Sequence, residues 1–184
     1  MTDVELRQNL AGYQLSPHWH PGAPRWRQAL WLLLGQPLLG SFLPGTLWRK
    51  ALLRAFGARL GRGGRLKPHL RVKFPWRLEV GDHCWLGEEV WIDNLAPVSL
   101  GDRVCLSQSA YLCTGNHDFR SPGFDLRTLP IRIDDDAWIA ARAVLAPGTH
   151  VGSGAVVALG AVVKGVVAPS TLVAGNPAQS VGRR

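Results

Sequence analysis

The residues of this chain best suited to chemistry stand in one short run, Asn116-His117-Asp118. An imidazole titrates near neutrality, so His117 can accept a proton from a hydroxyl or an amine and then release it. The carboxylate beside it, Asp118, can hold and tune the ring. Cys84, Cys105 and Cys113 adjoin no base in sequence and form no CxxC pair. That pattern argues against a thiol nucleophile, a disulfide framework or a structural zinc site, and for a reducing, cytoplasmic compartment. The histidines at 69, 83, 117 and 150 include no close pair of the kind a catalytic zinc needs, so no metal is expected.

A His-Asp pair alone is weak evidence; its setting gives it weight. Val80, Leu86 and Ile92 stand six residues apart, as do Leu100, Leu106 and Leu112, and then Ile133, Ile139, Leu145, Val151, Val157 and Val163. Four residues after each, the side chain is small or β-branched in every case but one: Cys84, Val90, Ala96, Val104, Ala110, Ala137, Ala143, Thr149, Ala155, Ala161 and Val167, with Asn116 the exception. The residue directly after each aliphatic is often Gly or Ala, as at Gly81, Gly101 and Ala158. A period of six matches neither the helical 3.6 nor the alternation of a lone strand. It matches short strands joined by tight corners, each sending one aliphatic into a narrow core that stacked turns bury together. After a two-residue insertion between Ile92 and Leu100, the period fails outright across 113–132, which reads as a loop ejected from the coil and punctuated by Gly115, Pro122, Gly123 and Pro130. Long loops in regular domains usually carry function, and this one carries His117.

The first third differs. Residues 1–80 hold 13 of the 21 basic side chains and 3 of the 13 acidic ones, so the net charge of +8 belongs to that end. No reading motif accompanies it, and nucleic acid is not an expected partner. Asp3 and Glu5 occupy the place of a signal peptide's positive region, so no leader is expected. Ala29–Trp48 is uncharged for 20 residues, yet Gly35, Pro37, Gly40, Pro44 and Gly45 interrupt it and argue against a span. Helices are expected over Trp26–Leu34 and Leu47–Phe56. The second has Arg49, Lys50 and Arg54 beside its apolar face. With Trp19, Trp26, Trp31 and Trp48, this region reads either as an interfacial membrane anchor or as a cap on the open end of the coil. The chain divides into a helical segment (1–59), a coil domain (60–178) and a tail (179–184).

The repeats resemble those of the hexapeptide-repeat family. Further likeness lies in Lys73–Glu79, in Ile92–Phe119, in Ala137-Trp138-Ile139-Ala140 and in the ending Val173–Ala178. These look most like the sugar O-acetyltransferases of exopolysaccharide biosynthesis, the colanic-acid type. The resemblance implies a mainly β fold: a left-handed parallel β-helix of triangular cross-section, with an N-terminal helical segment and one ejected loop. It implies a homotrimer that binds acetyl-CoA in clefts between neighbours and transfers acetyl to a hydroxyl of a sugar or glycolipid. The cysteine usage places such an enzyme in the cytoplasm, and the tryptophans and basic residues of its first third would let it lie peripherally at the inner membrane face.

Carried over residue by residue, His117 matches the general base, with Asp118 to orient it. Asp93 or Asn94 matches the residue that touches the acceptor. Trp138 matches a tryptophan near the pantetheine arm, and the Ala141 N–H matches a donor to the thioester oxygen. Ala158 and Gly160 match the small residues along which pantetheine lies, and Lys164 matches a phosphate contact. Two departures stand out: many relatives have Gly in place of Ala158, and the lysine is one residue out of place. The alternatives are acetyl transfer to an amine and a coil that only scaffolds.

Overall fold

A computed structural model describes residues 8–184; Asp3 and Glu5, on which the expectation of no leader rests, lie outside the described residues. The architecture is a parallel β-solenoid of about six turns, each laying one short strand on each of three faces. Face A stacks β1 (Arg59–Leu60), β4 (Leu78–Val80), β7 (Val98–Leu100), β12 (Ile131–Ile133), β15 (His150–Val151) and β18 (Val166–Val167). Face B stacks β2 (Arg65–Leu66), β5 (Trp85–Leu86), β8 (Cys105–Leu106), β13 (Trp138–Ile139), β16 (Val156–Val157), β19 (Thr171–Gly175) and β20 (Ala178–Arg183). Face C stacks β3 (Arg71–Val72), β6 (Trp91–Asp93), β9 (Tyr111–Cys113), β14 (Val144–Leu145) and β17 (Val162–Val163). The ejected loop contains the hairpin of β10 (Gly115–His117) and β11 (Leu126–Thr128).

Every one of the twelve periodic aliphatics is buried, and so is every one of the eleven small residues that follow them. An aliphatic fills the middle of each face, and a small residue fits where the chain bends toward the next. The repeat continues one turn earlier than the sequence pattern suggests: Leu60, Leu66 and Val72 are also six apart, and Leu66 and Val72 are buried.

On the edge between faces A and B, carboxylates tie the turns together. The N–H groups of Arg62, Asp82 and Asp102 donate to Oδ1 of Asp82, Asp102 and Asp135 at 2.7, 2.6 and 2.9 Å. This explains the glycine that follows the aliphatic there. A Cβ at Gly61, Gly81 or Gly101 would land on those same carboxylates.

The expected helices form: α1 (Arg25–Leu30) passes through a π turn (Trp31–Gly35) into α2 (Gln36–Leu39), and α3 (Thr46–Ala55) follows a reversal. One stripe packs inward. Trp31 and Leu39 are buried, and the Trp31 indole donates to the Val72 carbonyl at 3.0 Å. Helix α3 caps the first turn. Leu53 is buried, Lys50 Nζ donates to the carbonyls of Gly61 (2.8 Å) and Gly63 (2.6 Å), and Arg54 donates to those of Leu60 (2.7 Å) and Gly61 (3.0 Å). The basic side chains expected beside the apolar face of this helix are thus spent on the protein's own carbonyls, since Arg49 is buried too and donates to those of Gly45, Ser41 and Leu43. Unpaired carbonyls at the start of a solenoid need donors, and long basic side chains supply them.

The segment 179–184 closes face B. That segment is no free tail: β20 folds back antiparallel on β19, pairing Gly175 with Ala178 and Thr171 with Arg183. The outer strand of face B would otherwise leave its backbone groups bare, and the last residues cover them.

Candidate active site

The ejected hairpin springs from the edge between faces C and A, and its root is fixed to the turn below. Buried Thr114 donates from both N and Oγ1 to the Asp93 carbonyl, at 3.2 and 2.9 Å, and Oγ1 accepts the Ala96 N–H at 2.9 Å. Three residues on, His117 pairs with Leu126 across the hairpin. Its ring stacks on Phe124 (centroids 4.2 Å apart, planes 5° apart) and meets the edge of Tyr13 at 5.7 Å. Nδ1 lies 2.7 Å from the Phe124 carbonyl oxygen. A carbonyl only accepts, so the proton of the neutral ring sits on Nδ1 and the lone pair on Nε2 is free to act as a base.

The orienting group is thus a backbone carbonyl, and the expectation for Asp118 is corrected. Its carboxylate pairs with Arg127 across the hairpin and accepts the Arg120 N–H at 3.1 Å; it makes no bond to the imidazole. In an antiparallel hairpin, adjacent side chains point to opposite faces, so a residue next to His117 in sequence is badly placed to touch its ring.

Asp93 and Asn94, adjacent in sequence, part ways in the fold. Asn94 is wholly buried; its amide oxygen accepts the Phe74 N–H at 2.9 Å and its amide nitrogen donates to the Phe74 carbonyl at 2.8 Å. It holds two turns together and cannot also hold an acceptor. Asp93 points outward, 3.2 Å from Lys73 Nζ, and accepts a hydrogen bond from the Tyr111 hydroxyl at 3.3 Å. Burial, with Cys113 and Asp93 nearby, pushes the Tyr111 hydroxyl above its ordinary range and keeps it a donor.

Beside Asp93 a groove opens between face C and the α1–α2 segment. One part, about 320 Å³, is lined by Gln28, Lys73, Trp91 and Asp93 among others; the next, about 740 Å³, by Arg71, Glu89, Trp91, Ser109 and Tyr111. Trp91 and Tyr111 stack at 4.4 Å, with the Arg71 guanidinium over the indole. Sequence reading missed Lys73, Trp91 and Tyr111. Trp91 and Tyr111 sit one turn apart at the outward position of face C, a register the period of six contains.

The remaining nominated residues gather elsewhere, along the edge between faces B and C. Ala141 follows β13, Ala158 and Gly160 follow β16, and the Gly160 N–H donates to the Ala141 carbonyl at 3.0 Å. The Ala141 N–H meets no acceptor among the described residues. Trp138 is exposed on face B nearby, its indole donating to Ser107 Oγ at 2.9 Å. Lys164 lies past β17, exposed. One chain therefore collects Trp138, Ala141, Ala158 and Gly160 on one edge and His117 with Asp93 on another. Cys84 and Cys105 offer no nucleophile: burial pushes both thiols up, and Cys84 donates to the Gly101 carbonyl at 3.0 Å, while Cys113 Sγ donates to the Gly115 carbonyl at 3.1 Å. Among the described residues, no group of three or more His, Cys, Asp or Glu side chains gathers as metal ligands would.

Known proteins share this fold. Residues 130–164 match the family model described as the hexapeptide repeat of succinyl-transferase. WcaF of Escherichia coli (strain K12), whose name assigns it to acetylation in colanic acid biosynthesis, is 33% identical over 179 residues, 96% of this chain and 97% of WcaF. This chain belongs to the hexapeptide-repeat acetyltransferases. The acetyltransferase also resembles galactoside O-acetyltransferase of Escherichia coli, at 24% identity over 72% of this chain and 67% of that one. Among solved structures, the hexapeptide-repeat acetyltransferase VCA0836 of Vibrio cholerae superposes with a TM-score of 0.79 at 28% identity, covering 88% of this chain and 94% of that one. The same Vibrio protein complexed with acetyl coenzyme A superposes at 0.76, covering 86% of each chain.

Proposed function

We propose that this acetyltransferase moves acetyl from acetyl-CoA to a sugar hydroxyl in exopolysaccharide assembly of the colanic-acid kind. The observation that carries the reading is the His117 hydrogen bond to the Phe124 carbonyl, which leaves Nε2 as the basic nitrogen. Nε2 takes the hydroxyl proton as the acceptor oxygen attacks the thioester carbonyl. The negative charge that develops on the carbonyl oxygen needs a fixed donor, and the unpartnered Ala141 N–H is one. The C–S bond then breaks, the proton passes from the imidazolium to the departing sulfur, and free CoA leaves. Small residues at Ala158 and Gly160 keep the path along that edge open to pantetheine, and Lys164 meets a CoA phosphate.

Asp93, at the end of the groove, holds the acceptor, with Lys73 and Tyr111 setting its charge and direction. His117 and the Ala141 edge belong to different corners of the prism. A homotrimer that sets one chain's hairpin against its neighbour's edge brings them together. Exposed Trp138 and Leu159 give such an assembly apolar surface to bury.

The test is an acceptor screen with the purified protein and acetyl-CoA. Release of free CoA thiol with neutral sugars, giving a product whose acetyl group is lost in mild base, is the expected result. Release only with amines, giving a base-stable amide, overturns the choice of oxygen. No release with either overturns the activity.

A further inference from the structure

We infer that the outer side of the α1–α2 segment, with the reversal into α3, is a docking surface for the interface of an anionic bilayer. The inference does not depend on the reaction catalysed. A surface helix normally shows one apolar stripe to the protein and charge to the water. Here the stripe toward the protein is narrow, Trp31, Gly35 and Leu39, and every exposed side chain between Ala29 and Leu39 is apolar as well. Trp26 is 68% exposed, Leu33 71%, Phe42 76% and Leu47 85%, with Leu34 and Leu43 between them. No charged residue interrupts Ala29–Trp48. A contiguous apolar surface of this kind marks a partner.

Shape and charge select the partner. The segment is exposed on several sides at once, a convex ridge that a fluid apolar phase can surround and a flat protein face covers on one side only. No helix among the described residues is long and apolar enough to cross a membrane, so the ridge lies in the plane of the interface. Cations stand at both ends. Arg25 is exposed where α1 begins, and Arg65 and Lys67 adjoin Pro44, Gly45 and Thr46 at the reversal, with Glu88 the one acid lining that hollow. Trp26, apolar with a polar N–H, suits the headgroup level. The structure thereby separates two roles the sequence left as rivals: α3 caps the solenoid with Leu53, Lys50 and Arg54, while a different set of side chains faces outward.

The experiment is flotation of the full-length protein with vesicles of phosphatidylcholine alone or mixed with phosphatidylglycerol, at low salt. Sedimentation in parallel gives the oligomeric mass. Most of the protein should float with the anionic vesicles, and several-fold less after Leu33→Glu with Phe42→Glu, or after Arg25→Glu with Lys67→Glu. These positions are exposed, and an unchanged thermal melt verifies the fold. Protein that stays at the bottom of the gradient with anionic vesicles overturns the inference. So does a Leu33→Glu, Phe42→Glu variant whose oligomeric mass falls, because the ridge is then a contact between copies. Equal flotation with neutral vesicles overturns the charge selection.

Discussion

Two edges of the prism share one backbone geometry and differ in what meets the N–H two residues after the buried aliphatic. On the A–B edge that N–H, at Arg62, Asp82 and Asp102, is taken by a carboxylate from the next turn. On the B–C edge the same position is Pro68, Glu88, Gln108, Ala141 or Leu159, and the four N–H groups there, that of Ala141 among them, meet no acceptor among the described residues. The difference is made by side chains alone. A donor taken by the next turn helps the stack; a donor left free along an edge can meet a ligand. Stability and chemistry can therefore be disturbed separately.

The largest separation is expected at His117. His117→Ala should lower turnover by roughly 10²–10⁴-fold, the usual worth of a general base, with an unchanged melting temperature. Turnover above a tenth of wild type at saturating substrates removes His117 from the role.

Next comes Ala141→Pro. Pro68, Pro147 and Pro169 occupy the equivalent corner position elsewhere, each followed by a left-handed residue (His69 φ 60°, Gly148 φ 79°, Ser170 φ 53°), as Ala141 is followed by Arg142 at φ 58°. This pairing is that of a type II turn, which accepts proline. The substitution deletes one N–H without a new backbone demand. It should lower kcat by about 10²–10³-fold, the typical loss of one oxyanion donor. An active Ala141→Pro protein would make the bare N–H incidental.

Mixing then tests whether one site draws on both edges. His117→Ala and a cofactor-blocking Ala158→Trp, each inactive alone, should regain about a quarter of wild-type activity when assembled at random into closed trimers, because mixed trimers each hold one intact cleft. Verified mixed trimers that stay inactive reject the shared site.

The smallest effect belongs to the closed edge. Asp102→Ala leaves the Asp82 N–H without its acceptor and should lower the melting temperature by several degrees while kcat stays within about twofold. Acid should act alike. Backbone and side-chain hydrogen bonds from Arg62 hold the Asp82 carboxyl below the usual carboxylate range, and Arg103 does the same for Asp136. Groups depressed on folding stabilise above the unfolded value near pH 4, and that support fades as pH falls through the folded value. Melting temperature against pH should decline below about pH 4, and less steeply in Asp82→Asn, which removes one of the depressed carboxyls.

Much of this was legible in the sequence because a solenoid repeats one local rule. The period located twelve inward aliphatics, missing those of the first turn, and the break in it located the hairpin. What escaped are contacts with no period. The Phe124 carbonyl reaches His117 only because the hairpin folds back, and Arg127 draws Asp118 away for the same reason. Asn94 looks like a polar site residue until Phe74, one turn below, is seen to occupy both its amide atoms. Lys50 and Arg54 read only as the basic flank of an amphipathic helix, because nothing in a helix pattern tells that the first turn's carbonyls lie beneath them.

The closing strand β20 runs against all its neighbours on face B. Stacked parallel strands form a template onto which another copy's strands could add without end, the geometry of a fibril. A reversed last strand spoils that template at one pole, and the cations of α3 occupy the carbonyls at the other. The molecule is in this sense a short length of filament whose polymerisation has been stopped at both ends.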